Sequence, residues 1–334
     1  MVFRSPLIAV VAVLSSIALA DEEPETISAP ENVRVRGLLQ LPTYDFRVLS
    51  DRQARDENDL NDNTGKLTYT PAPSLEFGVS VDYSSYSLSF AVPAVKQERN
   101  GTKSRYRDIR FESTRNYLTV SGGYQDYSGF SMEEQLPPAK NLKTDTGASV
   151  DEPRVTDRAD ISRETTYVNI FIYPLGGMRD VLDREDGELP VRKWAMGPAI
   201  GLGYDQVTLD SAGPFVPKSR QAEFGKDAAF SGGSFTTWSG SLGAAGAFAT
   251  KHMTYTGLLA LSQFVQAQDY AAEDGHQSRH VPGKRANARF AVDGFFGHWT
   301  GGFFLHIDMY QIPLRGLEIS ATTALLGISC GRYI

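Results

Sequence analysis

The sequence predicts an all-β fold: an antiparallel transmembrane β-barrel of about twelve strands, with ten as the alternative count. Three observations predict it. The stretch 74–93, SLEFGVSVDYSSYSLSFAVP, places apolar residues at every second position. Leu75, Phe77, Val79, Val81 and Tyr83 share one face, and Glu76, Gly78, Ser80 and Asp82 share the other. After Ser84-Ser85, Tyr86, Leu88, Phe90 and Val92 oppose Ser87, Ser89 and Ala91. Side chains alternate faces along a strand, so this is a hairpin with one face for hydrocarbon and one for water. Second, the chain opens like an exported protein, yet no later run approaches the ~18 apolar residues of a spanning helix. Third, the alternation recurs along the chain, between connections that are mostly short and long by turns, as in bacterial membrane barrels, with 174–193 too long and 311–316 too short for their places.

Composition agrees. Charged residues are 22% and aromatics 11% of the 334 residues, which suits a folded β protein better than a disordered chain. The formal net charge of −7 argues against a general nucleic-acid binder. Residues 1–20 read as a signal peptide. Arg4 supplies the positive start, Leu7 to Leu14 the apolar centre, and Ala18-Leu19-Ala20 the small-x-small site, with cleavage after Ala20. The lone cysteine, Cys330, excludes an intramolecular disulfide and a cysteine-based metal site. Asn100-Gly101-Thr102 matches the glycosylation sequon, which matters only in a eukaryotic secretory pathway.

Residues 21–43 are expected to form a periplasmic leader, acidic and proline-containing at its start, and residues 44–334 the barrel. A first strand is expected at 44–49, then a polar loop at 50–65 and the 74–93 hairpin. Charged loop 94–104 leads to strands at 106–112 and 117–127. Segment 135–161 is charged, with Pro137-Pro138 and Pro153, and reads as an extramembrane loop. Strand 165–173 is apolar on both faces. The 174–193 connection carries a short helix around 178–183. Strand 194–209 tolerates Pro198 only at an edge or bulge. Segment 211–231 is expected as loop, 233–250 as a Gly/Ala-rich strand, 253–268 as strand and 271–284 as a charged loop. Strands at 285–297, 301–310 and 317–330 close the chain. Tyr83, Tyr86, Tyr117, Tyr127, Trp194, Tyr204, Trp299 and Tyr310 fall near strand ends, as interfacial girdles do. Asp82, Asp108, Arg110, Glu112, Arg289, Asp293, His306, Asp308 and Glu318 are expected to face the lumen. Their mixed signs predict paired networks in a narrow interior.

From Leu75 to Gly129 the chain resembles the predicted outer-membrane proteins of domain-of-unknown-function family 4421. The resemblance rests on Gly78, Ser80, Tyr83, Leu88, Phe90 and Pro93 in the hairpin, on Tyr106-Arg107-Asp108-Ile109-Arg110, and on Tyr124-Gln125-Asp126-Tyr127-Ser128-Gly129-Phe130. It implies an outer-membrane location and brings no activity or catalytic residue. Barrel chains often finish on an aromatic residue that the assembly machinery reads. Here Tyr333 is followed by Ile334, a departure from that pattern.

The five histidines, His252, His276, His280, His298 and His306, make no recognised motif. A serine hydrolase needs a nucleophile beside an oriented base, and no Gly-x-Ser-x-Gly elbow is present. His306 and Asp308 share a strand face and could orient an imidazole, although a structural network is the plainer expectation. His276 and His280 have helical metal spacing in a segment that reads as loop. Gly201-Leu202-Gly203 lacks the third glycine of a dinucleotide fingerprint. No catalytic, cofactor-binding or metal-binding residue is therefore assigned, and no cofactor is expected. The expected function is that of a non-enzymatic outer-membrane barrel of a Gram-negative cell, serving structure, surface binding or restricted passage of small solutes. Its expected partners are outer-membrane lipids and the barrel assembly machinery. The alternatives are a membrane-embedded lipid-modifying hydrolase and a soluble periplasmic β-barrel binding protein.

Overall fold

The computed structural model describes residues 33–50, 65–72, 75–83, 86–93, 98–99, 102–115, 117–134, 154–175, 193–250, 252–296 and 298–334. The expected signal peptide, the sequon's Asn100-Gly101 and the short helix at 178–183 lie outside them, as does the leader up to Asn32. The strands are β1 (Arg34–Ser50), β2 (Lys66–Thr70), β3 (Glu76–Tyr83), β4 (Tyr86–Pro93), β5 (Glu98–Arg99), β6 (Thr102–Lys103), β7 (Arg105–Arg115) and β8 (Leu118–Glu134). They continue with β9 (Arg154–Ile172), β10 (Lys193–Asp210), β11 (Gly232–Ala249), β12 (Met253–Ala272), β13 (Gly275–Phe296), β14 (Trp299–Pro313) and β15 (Leu317–Tyr333).

Antiparallel pairing of β1 with β15, from Arg34↔Tyr333 to Ser50↔Leu317, closes the sheet into a barrel. Near the termini the wall has twelve strands, running β1-β3-β4-β7-β8 and on through β15. Toward the loop end it narrows to ten. There β2 alone bridges β1 (Phe46↔Tyr69) to β8 (Thr70↔Ser131) and replaces β3, β4 and β7. The expected alternatives of twelve and ten strands thus describe the two ends of one barrel. Ser104 ties the fork where the wall divides. Its hydroxyl donates to the Gly129 carbonyl (2.6 Å) and accepts from the Ala72 amide (2.7 Å). Gly129 has φ +81°, and a Cβ there would run into the Lys103 carbonyl, so this bulge takes only glycine without strain.

Strand β1 starts at Arg34, ten residues before the expected first strand, so residues 34–43 belong to the wall and not to a leader. Its inward residues are Leu38, Gln40, Tyr44, Phe46 and Val48, while Leu41 faces out. The mixed inward face hid the strand from a search for alternating apolar positions. The expected loop 271–284 is also strand: β12 and β13 pair up to Ala272↔Gly275. Above Arg285, β13 has no β14 partner. Pro282 and Lys284 sit on that edge, as such edges require. Pro198 obeys the same rule, because β9 ends opposite Ile200 and leaves β10 locally unpaired beside it.

Outside, an apolar belt girds the barrel. Phe77, Val79, Leu88, Phe90, Met196, Leu202, Leu242, Leu259, Leu261, Phe303 and Ile328 are all exposed. Aromatic residues mark its rims as cross-strand pairs: Tyr83↔Tyr86, Trp194↔Phe248 and Phe296↔Trp299 at the termini end, and Tyr204↔Trp238 at the loop end. Trp194 to Tyr204 spans ten residue steps. At ~3.3 Å per residue and a tilt of about 40°, that gives a belt about 25 Å tall, the height of an outer-membrane hydrocarbon band. Tyr127 and Tyr310 are not girdle residues. Tyr127 is 3% exposed and packs 4.9 Å from Tyr44 inside the barrel, and Tyr310 bonds to the Tyr44 hydroxyl at 3.2 Å. Their strand parity, odd relative to outward Tyr124 and Met309, sends them inward.

Candidate functional site

The lumen has an apolar zone at the loop end, a polar middle, and a second apolar cluster toward the termini end, built from Phe171, Tyr173, Ala245, Ala247 and Ala249. The loop-end zone is a plug. Residues 211–231, expected as a surface loop, fold into the mouth and bury Phe215, Val216, Phe224, Ala228 and Phe230 among Phe46, Tyr69, Phe235, Tyr270, Ile312 and Ile319. Phe46 stacks on Tyr69 at 4.5 Å and Phe215 on Phe230 at 5.0 Å. A 3-10 helix, Lys218–Glu223, turns the segment.

Polar latches hold this plug. Arg315 donates to the buried Asp227 carboxylate from its Nη2 (2.7 Å) and its backbone amide (2.7 Å), and Tyr270 donates its hydroxyl (2.6 Å). Arg158 donates to the Pro214 carbonyl (3.0 Å), to Ser211 (2.7 Å) and to Asp160 (2.9 Å). Glu223 accepts from Arg220 (2.7 Å) and from the Gly65 amide (3.2 Å). Hydrogen bonds from arginine hold Asp160 and Glu223 below the usual carboxylate range. The Tyr69 hydroxyl donates to the Phe215 carbonyl.

Below the plug the lumen turns polar, because β7 to β10 and β12 to β14 put charged and amide side chains on their inward positions. An open cavity is lined there by Arg110, Arg163, Arg285, Arg289, Asp205 and Asp308, among others. Arg285 clamps Asp308 (Nε–Oδ1 2.7 Å) and also pairs with Asp205. Arg110 pairs with Asp108, and Arg289 reaches Ser121 (3.1 Å) and Glu112 (3.3 Å). Arg34 and Arg36 share Asp82 at 2.7 and 2.9 Å. The expected luminal charges are therefore inward and paired, apart from His306, which is inward beside Arg110, and Glu318. Glu318 lies between Leu317 and Ile319, both of which are inside, so it faces out.

The expected chemistry candidates do not assemble. Asp308 is committed to Arg285, and His306 lies 3.5 Å from an Arg110 nitrogen instead. His276 and His280 occupy outward positions of β13, four residues apart, which on a strand is about 13 Å and too far for one metal ion. His276 pairs with Asp269 across the hairpin. Among the described residues no cluster of three metal-ligating side chains occurs.

No family model and no curated protein matches the chain. Solved structures do. The outer membrane protease OmpT from Escherichia coli shares 9% identity, covering 93% of this chain and 100% of that one with a TM-score of 0.38. The Pseudomonas putida toluene transporter TodX shares 10%, covering 91% and 90% with a TM-score of 0.30. The outer-membrane expressed OmpT of Vibrio cholerae shares 10%, covering 93% and 100% with a TM-score of 0.26. At these identities and scores the likenesses transfer no residue role.

Two features of the lumen escape a reading by alternation alone. Phe215, Val216, Phe224 and Phe230 lie in a segment without periodicity; the available signal was four large apolar residues in a supposed surface loop. Arg163 fell between an expected loop and an expected strand. Counting back in twos from inward Tyr167 would have placed it in the lumen.

Proposed function

We propose that this chain is a non-enzymatic outer-membrane β-barrel that stays closed at its loop end, serving as a membrane-embedded structural or binding module and not as a conduit. The single observation that carries this is the plug. Exposing Phe215, Phe224 and Phe230 would cost roughly 2 kcal/mol each, about 6 kcal/mol in all, before any latch is broken. That corresponds to an open population on the order of one in 10⁴. The 25 Å belt with its aromatic rims supports the membrane location, and the resemblance of 75–129 to family 4421 supports the outer membrane in particular.

The test is conductance and hydrolysis on the same refolded protein. In planar bilayers the intact barrel should show no steady channel, whereas a variant joining Ser211 to Ser231 by a short Gly-Ser link should conduct. A steady wild-type channel would overturn the closed reading. Phospholipid hydrolysis by the purified protein would overturn the non-enzymatic one.

A further inference from the structure

We propose that the polar middle of the lumen binds a small oxyanion, a carboxylate or phosphate group, with Arg163 as its principal anchor. Every other arginine of the cavity has a carboxylate partner: Asp108 for Arg110, Asp205 and Asp308 for Arg285, and Glu112 for Arg289. Arg163 has none among the described residues. It is 2% exposed, yet its Nε and Nη1 make no hydrogen bond. Its guanidinium lies over the Tyr44 ring at 4.1 Å and the Tyr310 ring at 5.2 Å, which holds its position without a carboxylate in contact; Asp205 and Asp308 act on it only from a distance. A buried, unpaired charge is costly and calls for a counter-ion.

The neighbouring wall points the same way. Arg110 Nε, Thr165 Oγ1 and Asn287 Oδ1 are also buried without a partner, and all four residues line the one cavity. Two guanidinium groups with free N–H donors and a hydroxyl make a donor-rich cradle for an acceptor-rich ligand, and the free Asn287 Oδ1, an acceptor, suits a protonated oxygen of its head group. Tyr167, Val207, Phe264 and Leu325 line the same cavity and can cover an apolar body attached to that head group. Toward the termini end the luminal Glu112 side chain is 46% exposed and Asp293 27%, beside the apolar cluster of Phe171, Tyr173 and Phe295, and this is the side from which the ligand would enter. The inference does not rest on the plug, since a through-pore would present the same wall.

Isothermal titration of the full barrel in detergent micelles tests it, with inorganic phosphate, benzoate and neutral benzamide as probes. At least one anion should bind saturably, and benzamide should not. Arg163→Gln should weaken that binding at least ten-fold, and Asn287→Asp, which adds a negative charge to the cradle, should do likewise. Binding of phosphate alone or of benzoate alone would tell which head group the site takes. Absence of binding by either anion, equal binding of benzamide, or unchanged affinity in the variants would overturn the proposal. Should Arg163→Gln fail to refold, Asn287→Asp alone decides.

Discussion

Placing a charge at Val79 measures the membrane belt at its middle. Val79 faces out from β3 at 53% exposure, flanked by Phe90 on β4 and Gly37 on β1. Tyr83, four residues toward the termini end, marks the rim. Four steps of ~3.3 Å at a tilt of about 40° put Val79 about 10 Å into a belt about 25 Å tall, close to the midplane. Val79→Arg should therefore destabilise the barrel by about 2–4 kcal/mol, the cost of a cation at that depth. Thr322→Arg is the control. Thr322 also faces out, opposite Met309 at the loop-end rim, where the cost should be about 0–1 kcal/mol. Ser80→Arg would be a poor control, because Ser80 is 1% exposed and lies within 3.4 Å of Arg36, Asp82 and Ser87. Denaturant titration in lipid vesicles, followed by tryptophan fluorescence and the heat-dependent gel shift of folded barrels, reads both costs. Equal costs, or a larger cost at Thr322, would refute the depth assigned to β3.

Three more perturbations address the fork and the plug. Gly129→Ala should lower stability by about 1–3 kcal/mol, because a non-glycine residue at φ +81° meets the Lys103 carbonyl; the unfolding midpoint reads it. Arg315→Ala strips the buried Asp227 carboxylate of its guanidinium and should lower the unfolding midpoint and speed proteolysis at 211–231. Acid should loosen the plug. Asp160 and Glu223 titrate lower when folded, so their contribution is present at neutral pH and is lost as pH falls through the carboxylate range; bilayer conductance at pH 3, absent at pH 7, checks it.

Sequence periodicity carries the belt well and the rest of the barrel poorly, for a physical reason. Hydrocarbon demands apolar outward residues, so Phe77, Val79, Leu88 and Phe90 could be faced by counting alone. Beyond the belt both faces of a strand meet water or protein, and the alternation vanishes. That is why His276, Ser278 and His280 read as loop although they lie in β13. The luminal charges were legible as a paired set, because a narrow interior admits few unpaired ions. Their partners were not legible. Arg285–Asp205 joins residues 80 apart in sequence, and only barrel closure brings them together. The change from twelve strands to ten was hidden as well, since β2 is five residues long and carries no apolar stripe of its own on the outside.

The central claim, a lumen sealed at the loop end, is tested most directly by where a luminal thiol can be reached. Ser89 faces the lumen from β4, while Ser278 faces out on β13 beyond the belt. Each is changed to cysteine in a Cys330→Ser background, in cells lacking general porins, and treated with a small charged methanethiosulfonate. Ser278→Cys should react on intact cells, and Ser89→Cys only after the outer membrane is opened. Reaction of Ser89→Cys on intact cells would show that the lumen is open to the outside and would contradict the account.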